Sequence, residues 1–307
     1  MKNFTKLSLF TFLLATILFT SCKKEYDSVE TVDDAAISAY IQKNNLTASM
    51  IQDPDKTGFY YQVLTAGTGD LFKNSDSVLY SVSIKSLSSG TPYLTTSVNG
   101  NWGNRVGYTN VLPVTSQTTA IPQIPAIRTA INALKPGGSA RIILPSYLAF
   151  GKNGFTDVGI PSNDILDINV TTKTFKSQYD LDDNRITSFL AAKGLTASAV
   201  KDPSRIYYII NTLGTGGAID SKESTIVAKY TLRLLDGTVA DSSTDGTFTY
   251  QLSQLIKGWY TIIPKFPVGT KMRIFVPSDL GYSSSGSGSV PGNAVLDFDI
   301  EVTSVTN

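Results

Sequence analysis

The chain repeats itself, and that limits its possible folds more than any other feature. Residues 37–54 read ISAYIQKNNLTASMIQDP and residues 186–203 read ITSFLAAKGLTASAVKDP. Farther on, Tyr60-Tyr61 answers Tyr207-Tyr208, and Gly67-Thr68-Gly69 answers Gly214-Thr215-Gly216. Arg141-Ile142-Ile143-Leu144-Pro145-Ser146 answers Arg273-Ile274-Phe275-Val276-Pro277-Ser278, and Ile160-Pro161-Ser162-Asn163 answers Val290-Pro291-Gly292-Asn293. Matches that keep their order over most of 307 residues require one folding unit used twice. That length also suits two ordinary domains after a leader is removed.

Each copy opens on a helical pattern. Ile37, Tyr40, Ile41 and Ile186, Phe189, Leu190 recur at i, i+3, i+4. Asp33-Asp34 and Asp182-Asp183 read as N-caps, and Gly194 as a C-terminal stop. Period-two stretches follow, at Val78, Tyr80, Val82, Ile84 and at Ile226, Ala228, Tyr230, Leu232, Leu234, as in half-buried antiparallel strands. Asp236-Gly237 marks a turn. In the second copy Leu255, Ile256, Trp259, Ile262 and Ile263 stand at helical spacing, with Pro264 limiting the helix. The expected class is α+β: two units, each an antiparallel sheet wrapped around a short helix and each preceded by a helix of its own.

The first residues read as a leader. Behind Lys2 and Lys6, residues 7–19 are largely apolar, too short for the roughly 20 residues of a membrane span and suited to a signal-peptide core. The run ends at Phe19-Thr20-Ser21-Cys22, and Cys22 is the only cysteine. This ending resembles the lipobox of bacterial lipoproteins, which implies cleavage before Cys22 and lipid on its thiol. The expected division is a signal peptide at 1–21, a lipidated tether at 22–32, and units at 33–175 and 176–307. The protein would then be a membrane-anchored lipoprotein of the cell envelope, on the periplasmic face or the cell surface.

Composition removes several function classes. A net charge of +1 with 17% charged residues offers no basic face for nucleic acid. With no histidine and one cysteine, neither a zinc site nor an internal disulfide is indicated, and no other metal or cofactor is suggested. No nucleophile–base pair is visible, which argues against a hydrolase.

The second copy carries a longer constellation: Tyr230, Asp236-Gly237, Asp241-Ser242-Ser243, Phe248 with Tyr250, Leu255-Ile256-Lys257-Gly258-Trp259, Pro277 through Tyr282, Pro291-Gly292-Asn293-Ala294, and Phe298-Asp299-Ile300-Glu301. In order and spacing this resembles the FKBP-type peptidyl-prolyl isomerases. The resemblance covers about residues 205–305. It implies a folding factor that isomerises X–Pro bonds of exported polypeptides, and proline-containing chains as partners. It further implies Trp259 as the floor of a proline pocket lined by Tyr230, Phe248, Leu255, Ile256, Val290 and Phe298. Tyr282 would offer its hydroxyl to the substrate carbonyl, and Asp241 would polarise the rim. Trp259, Phe298 and Tyr230 would also fill a small core whatever the function, and Asp241 could equally form a turn.

Two departures weaken the pattern. Ala240 stands where the family has Phe, and residues 283–289 are all Ser and Gly, which suggests a mobile flap. The first copy departs further. Val82 takes the place of Tyr230, Ile127 of Trp259, Phe150 of Tyr282 and Ile168 of Phe298, while residues 88–99 lack the Asp-Ser-Ser segment. An insertion of about sixteen residues precedes Pro145, and Pro122, Pro125 and Pro136 are expected to shorten the first copy's helix. The first copy therefore reads as a fold kept without the active set. The alternatives are a non-catalytic proline- or peptide-binding or structural lipoprotein, and a glycan-binding surface protein using Trp102 and Tyr108 of the inserted stretch.

Overall fold

The computed structural model describes residues 27–112 and 123–307; the leader, Cys22 and Pro122 lie outside them. Each half begins with a fifteen-residue helix, α1 (Val29–Lys43) and α3 (Gln178–Ala192). Their caps are Ser28 and Ser177, whose hydroxyls accept the N–H of Thr31 and Asp180; the caps expected at Asp33 and Asp182 are not there. Those aspartates sit in the second turn, buried, with their carboxylates turned onto the strand end at the far side of each half. Asp33 Oδ2 accepts Ser146 N–H at 2.7 Å, and Asp182 Oδ2 accepts Ser278 N–H at 2.8 Å and its hydroxyl at 2.6 Å. Gly194 ends the α3 turn at φ +66°, and Asn45 does the same for α1 at φ +56°.

The first half then forms β1 (Ile51–Gln52), β2 (Tyr60–Thr65), β3 (Ser77–Ser86), β4 (Pro92–Thr95), β5 (Trp102–Arg105), α2 (Pro125–Asn132), β6 (Ser139–Leu144) and β7 (Leu166–Thr172). The second forms β8 (Val200–Lys201), β9 (Tyr207–Thr212), β10 (Thr225–Arg233), β11 (Val239–Gln251), α4 (Lys257–Ile262), β12 (Lys271–Val276) and β13 (Leu296–Thr306). The sheets run β1-β2-β6-β7-β3-β4, with β5 also on β3, and β8-β9-β12-β13-β10-β11; every pairing is antiparallel. The two orders are the same once β4 and β5 together stand for the single long strand β11.

Alternation along the strands sorts residues to two faces. Ile142 and Ile274 face the main core beneath the short helices α2 and α4, while their neighbours Ile143 and Phe275 face the leading helices. A repeated ion pair ties the last two strands. Arg141 Nε donates to Asp167 Oδ1 at 2.8 Å and Arg273 Nε to Asp297 Oδ1 at 2.8 Å, each guanidinium also reaching the second carboxylate oxygen.

The short helices differ from expectation. Pro125 occupies the first helical position, where its missing N–H costs nothing, and α2 is two residues longer than α4 rather than shortened. In the second half Leu255 and Ile256 precede the helix, with Ile256 at the cap in an extended conformation. Gly258 is required here: a Cβ would lie 2.5 Å from Val276 Cγ1, so only glycine lets α4 approach β12.

Candidate active site

The bulged pairing of β10 with β11 turns Tyr230 toward α4, and strand β13 brings Phe298 to the same place. The rings of Tyr230, Phe248 and Phe298 surround the indole of Trp259, with centroids 5.4–5.7 Å from it and all three edge-on. Trp259 and Phe298 are each 3% exposed and form the floor. Phe248, Leu255, Ile256 and Tyr282 are half-buried against it, and Val290 is buried. Tyr250, outside the expected lining, packs on Phe248 at 4.6 Å and is 48% exposed. The Trp259 indole N–H is buried and has no acceptor among the described residues.

Polar groups lie on the open side. Tyr230 donates its hydroxyl to Asp241 Oδ2 at 2.6 Å, while Asp241 Oδ1 accepts Ser242 N–H at 2.8 Å. Burial first, and the Asp241 carboxylate second, push the Tyr230 hydroxyl well above its ordinary value. The same two causes, in the same order, raise Tyr282. Both phenols therefore stay protonated donors at neutral pH. Asp241 is exposed and holds its position through two local hydrogen bonds.

The apolar and aromatic residues read from the second copy thus pack together in one cluster around Trp259, with Asp241 joined to it through Tyr230. The flap is held by specific contacts in spite of its composition. Ser283–Ser285 form a 3-10 turn, Ser287 pairs with Val290, and Ser289 Oγ donates to Ala240 O at 2.9 Å. The two flap limbs approach so closely that a Cβ on Gly292 would lie 2.3 Å from Ser284 O.

Strand register identifies the first-half counterparts. Val82 opposite Val170 corresponds to Tyr230 opposite Ile300, and Ile84 opposite Ile168 to Leu232 opposite Phe298. Leu94, opposite Ile84, takes the position that Asp241 holds opposite Leu232. Trp102, opposite Tyr80, takes that of Phe248 opposite Ala228. Val82, Ile127 and Ile168 are buried, and Phe150 stacks on Phe155 at 5.1 Å. Trp102 lies edge-on against buried Tyr80 at 5.8 Å. It stands on a strand equivalent to β11 and not in an inserted stretch; the extra residues follow Tyr108.

Sequence comparison agrees with this geometry. The family model described as FKBP-type peptidyl-prolyl cis-trans isomerase matches residues 217–303. The chain is 37% identical over 142 residues to the FKBP-type peptidyl-prolyl cis-trans isomerase FkpA of Aeromonas hydrophila, covering 45% of this chain and 52% of that one. It is 38% identical over 121 residues to the outer membrane protein MIP of Legionella longbeachae, covering 38% of this chain and 52% of that one. The chain thus spans about half the length of these curated relatives. A solved peptidyl-prolyl cis-trans isomerase from Pseudomonas syringae superposes with a TM-score of 0.38 at 25% identity, over 43% of this chain and 99% of its own. Over residues 217–303, in its second half, the chain is thus similar to the FKBP-type peptidyl-prolyl cis-trans isomerase family.

Proposed function

We propose that the second half, residues 176–307, catalyses cis–trans isomerisation of X–Pro bonds, and that residues 33–175 form a related unit without that activity. The observation that carries this reading is the Trp259 floor ringed by Tyr230, Phe248 and Phe298 beneath two protonated phenols. An X–Pro amide rotates over a barrier of about 18–20 kcal/mol because twisting destroys amide resonance. A site accelerates rotation by binding the twisted amide better than either planar form. An apolar recess serves that end, since removing water from the carbonyl disfavours the polar resonance structure of the planar state. Trp259, Phe298 and Val290 would hold the proline ring, Tyr282 would donate to the substrate carbonyl, and Asp241 would hold Tyr230 and polarise the rim.

The substrates proposed are unfolded or folding proline-containing chains outside the cytoplasm. The lipobox-like ending at Cys22 and the similarity to an outer membrane protein of Legionella longbeachae support a place in the cell envelope, with lipid on Cys22 as the anchor. Among the described residues no helix is long and apolar enough to cross a membrane.

Exchange measurements on a proline peptide with the full chain test the catalytic reading. Wild type is expected to accelerate exchange, with Asp241→Ala and Tyr282→Phe each slowing it by about three- to ten-fold, the worth of one hydrogen bond. A second reading, a non-catalytic peptide binder, is favoured by Ala240, which leaves one wall small where Ser289 clasps the flap to the rim. A folded wild type that leaves exchange at its uncatalysed rate would decide for the binder.

A further inference from the structure

The loop between β4 and β5, residues 96–101, leaves the first sheet at the place where β11 of the second half only bulges, between Ser243 and Phe248. It lies against the flap of the second half, and the contact is polar and buried. Asn293 Nδ2 donates to Asn101 O at 2.9 Å, and Asn101 Nδ2 donates to Gln178 Oε1 at 2.9 Å. Gln178 Nε2 in turn donates to Asp182 Oδ1 at 2.7 Å. Arg185 bridges the halves, donating through Nη1 to Asn293 O at 2.9 Å and through Nη2 to Gly100 O at 3.0 Å. Asn101 is 1% exposed. The backbones approach so closely that a Cβ on Gly100 would lie 2.6 Å from Gly292 O.

The repeat supplies an internal control. Asn163 is the counterpart of Asn293 and has the same left-handed backbone, φ +55° against +60°, yet it is exposed. Gln178 and Arg185 correspond to Val29 and Ala36, which have no polar side chain to offer. Residues shared by the copies build the fold; Gln178 and Arg185, the two bonding partners without a polar counterpart, stand only where the halves meet. The flap they hold is part of the candidate site, since Asn293 N–H donates to Ser283 O at 2.7 Å beside Tyr282, and Val290 lies three residues before Asn293.

We propose that the first half positions the flap of the second-half site, with Asn101 and Gly100 as the latch and Asn293, Gln178 and Arg185 as its receptor. All five are positioning residues, none of them part of the cluster around Trp259. This gives the first half a role without requiring it to bind substrate, and it rests on the isomerase reading only for its effect on rate.

Two readouts on the full chain test it. The first is hydrogen–deuterium exchange of amides 283–294, which needs no activity. Asn293→Gly keeps the left-handed backbone while removing the bond to Asn101, and Arg185→Ala removes both bridging bonds. Each is expected to speed flap exchange by about three- to ten-fold while leaving β13 as protected as in wild type. Asn163→Gly should change nothing. Unchanged flap exchange in both latch variants would overturn the proposal. The second readout is the KM-against-kcat split for a proline peptide: latch variants should raise KM more than they lower kcat. Arg185→Lys, which can still reach one carbonyl, should recover part of the loss. A fall in kcat alone, or equal loss in Asn163→Gly, would also overturn it. An inactive wild type removes the isomerase reading, and flap exchange then decides the latch by itself.

Discussion

In the proposed site, Ala240 is a small residue whose size would set how firmly a proline ring is gripped. It stands beside Asp241 and under Ser289, half-buried against the same core as Phe248 and Tyr282. Ala240→Phe should supply the missing wall and lower KM by roughly five- to a hundred-fold, the range set by burying about 1–3 kcal/mol of apolar side chain, measured by peptide titration. The phenols give a second expectation. Because burial and the Asp241 charge raise both Tyr230 and Tyr282 above the ordinary tyrosine value of 10.0, each remains a donor past the pH at which a free phenol ionises. The exchange rate should therefore be flat from neutral pH to about 10; a decline near pH 8–9 would show that at least one of the phenols is not held this way. These residues were legible in the sequence because each belongs to a short local motif. Asn101 and Gly100 were not, since their partners lie in the other half of the chain and nothing beside them announces a contact.

At the scale of elements, the alternation of β3 and β10 announced two sheets correctly, because one face of each strand is buried and the other is wet. The break that turns one long strand into β4 and β5 had no such mark. Its cause is visible only in register, where Trp102 and Thr95 both pair with β3 while the residues between them leave the sheet. The leading helices teach a related lesson. An Asp-Asp pair looks like a cap, but Asp33 and Asp182 are fifth in their helices and serve strand ends 113 and 96 residues away. Removing the Asp182 carboxylate by Asp182→Ala should cost about 1–3 kcal/mol in denaturant unfolding, because Ser278 N–H and hydroxyl lose their buried acceptor. Burial, outweighing its hydrogen bonds, raises the Asp182 carboxyl above its ordinary 3.8. The folded state therefore binds this proton more readily than the unfolded state. Its contribution favours folding at low pH and fades as pH rises from about 4 through the raised value. The difference in unfolding free energy between wild type and Asp182→Asn, followed from pH 4 upward, should carry that slope.

For the whole molecule, two main cores meet through a polar latch instead of a shared apolar interior. Ile127, fully buried under the first sheet, should report on one core alone. Ile127→Ala is expected to cost about 2–5 kcal/mol and to lower one calorimetric transition while leaving the other near its wild-type temperature. A single shifted transition would mean that the halves unfold together. The two aspartate clasps also set the order in which the molecule can be completed. Each helix is made first in its half, yet the strand end it must hold emerges about a hundred residues later. During synthesis the helix therefore waits with its apolar face uncovered, and neither half can close before nearly all of it has been made. A protein proposed to relieve slow steps in other chains would itself pass through a long unfinished stage, in need of shelter at birth.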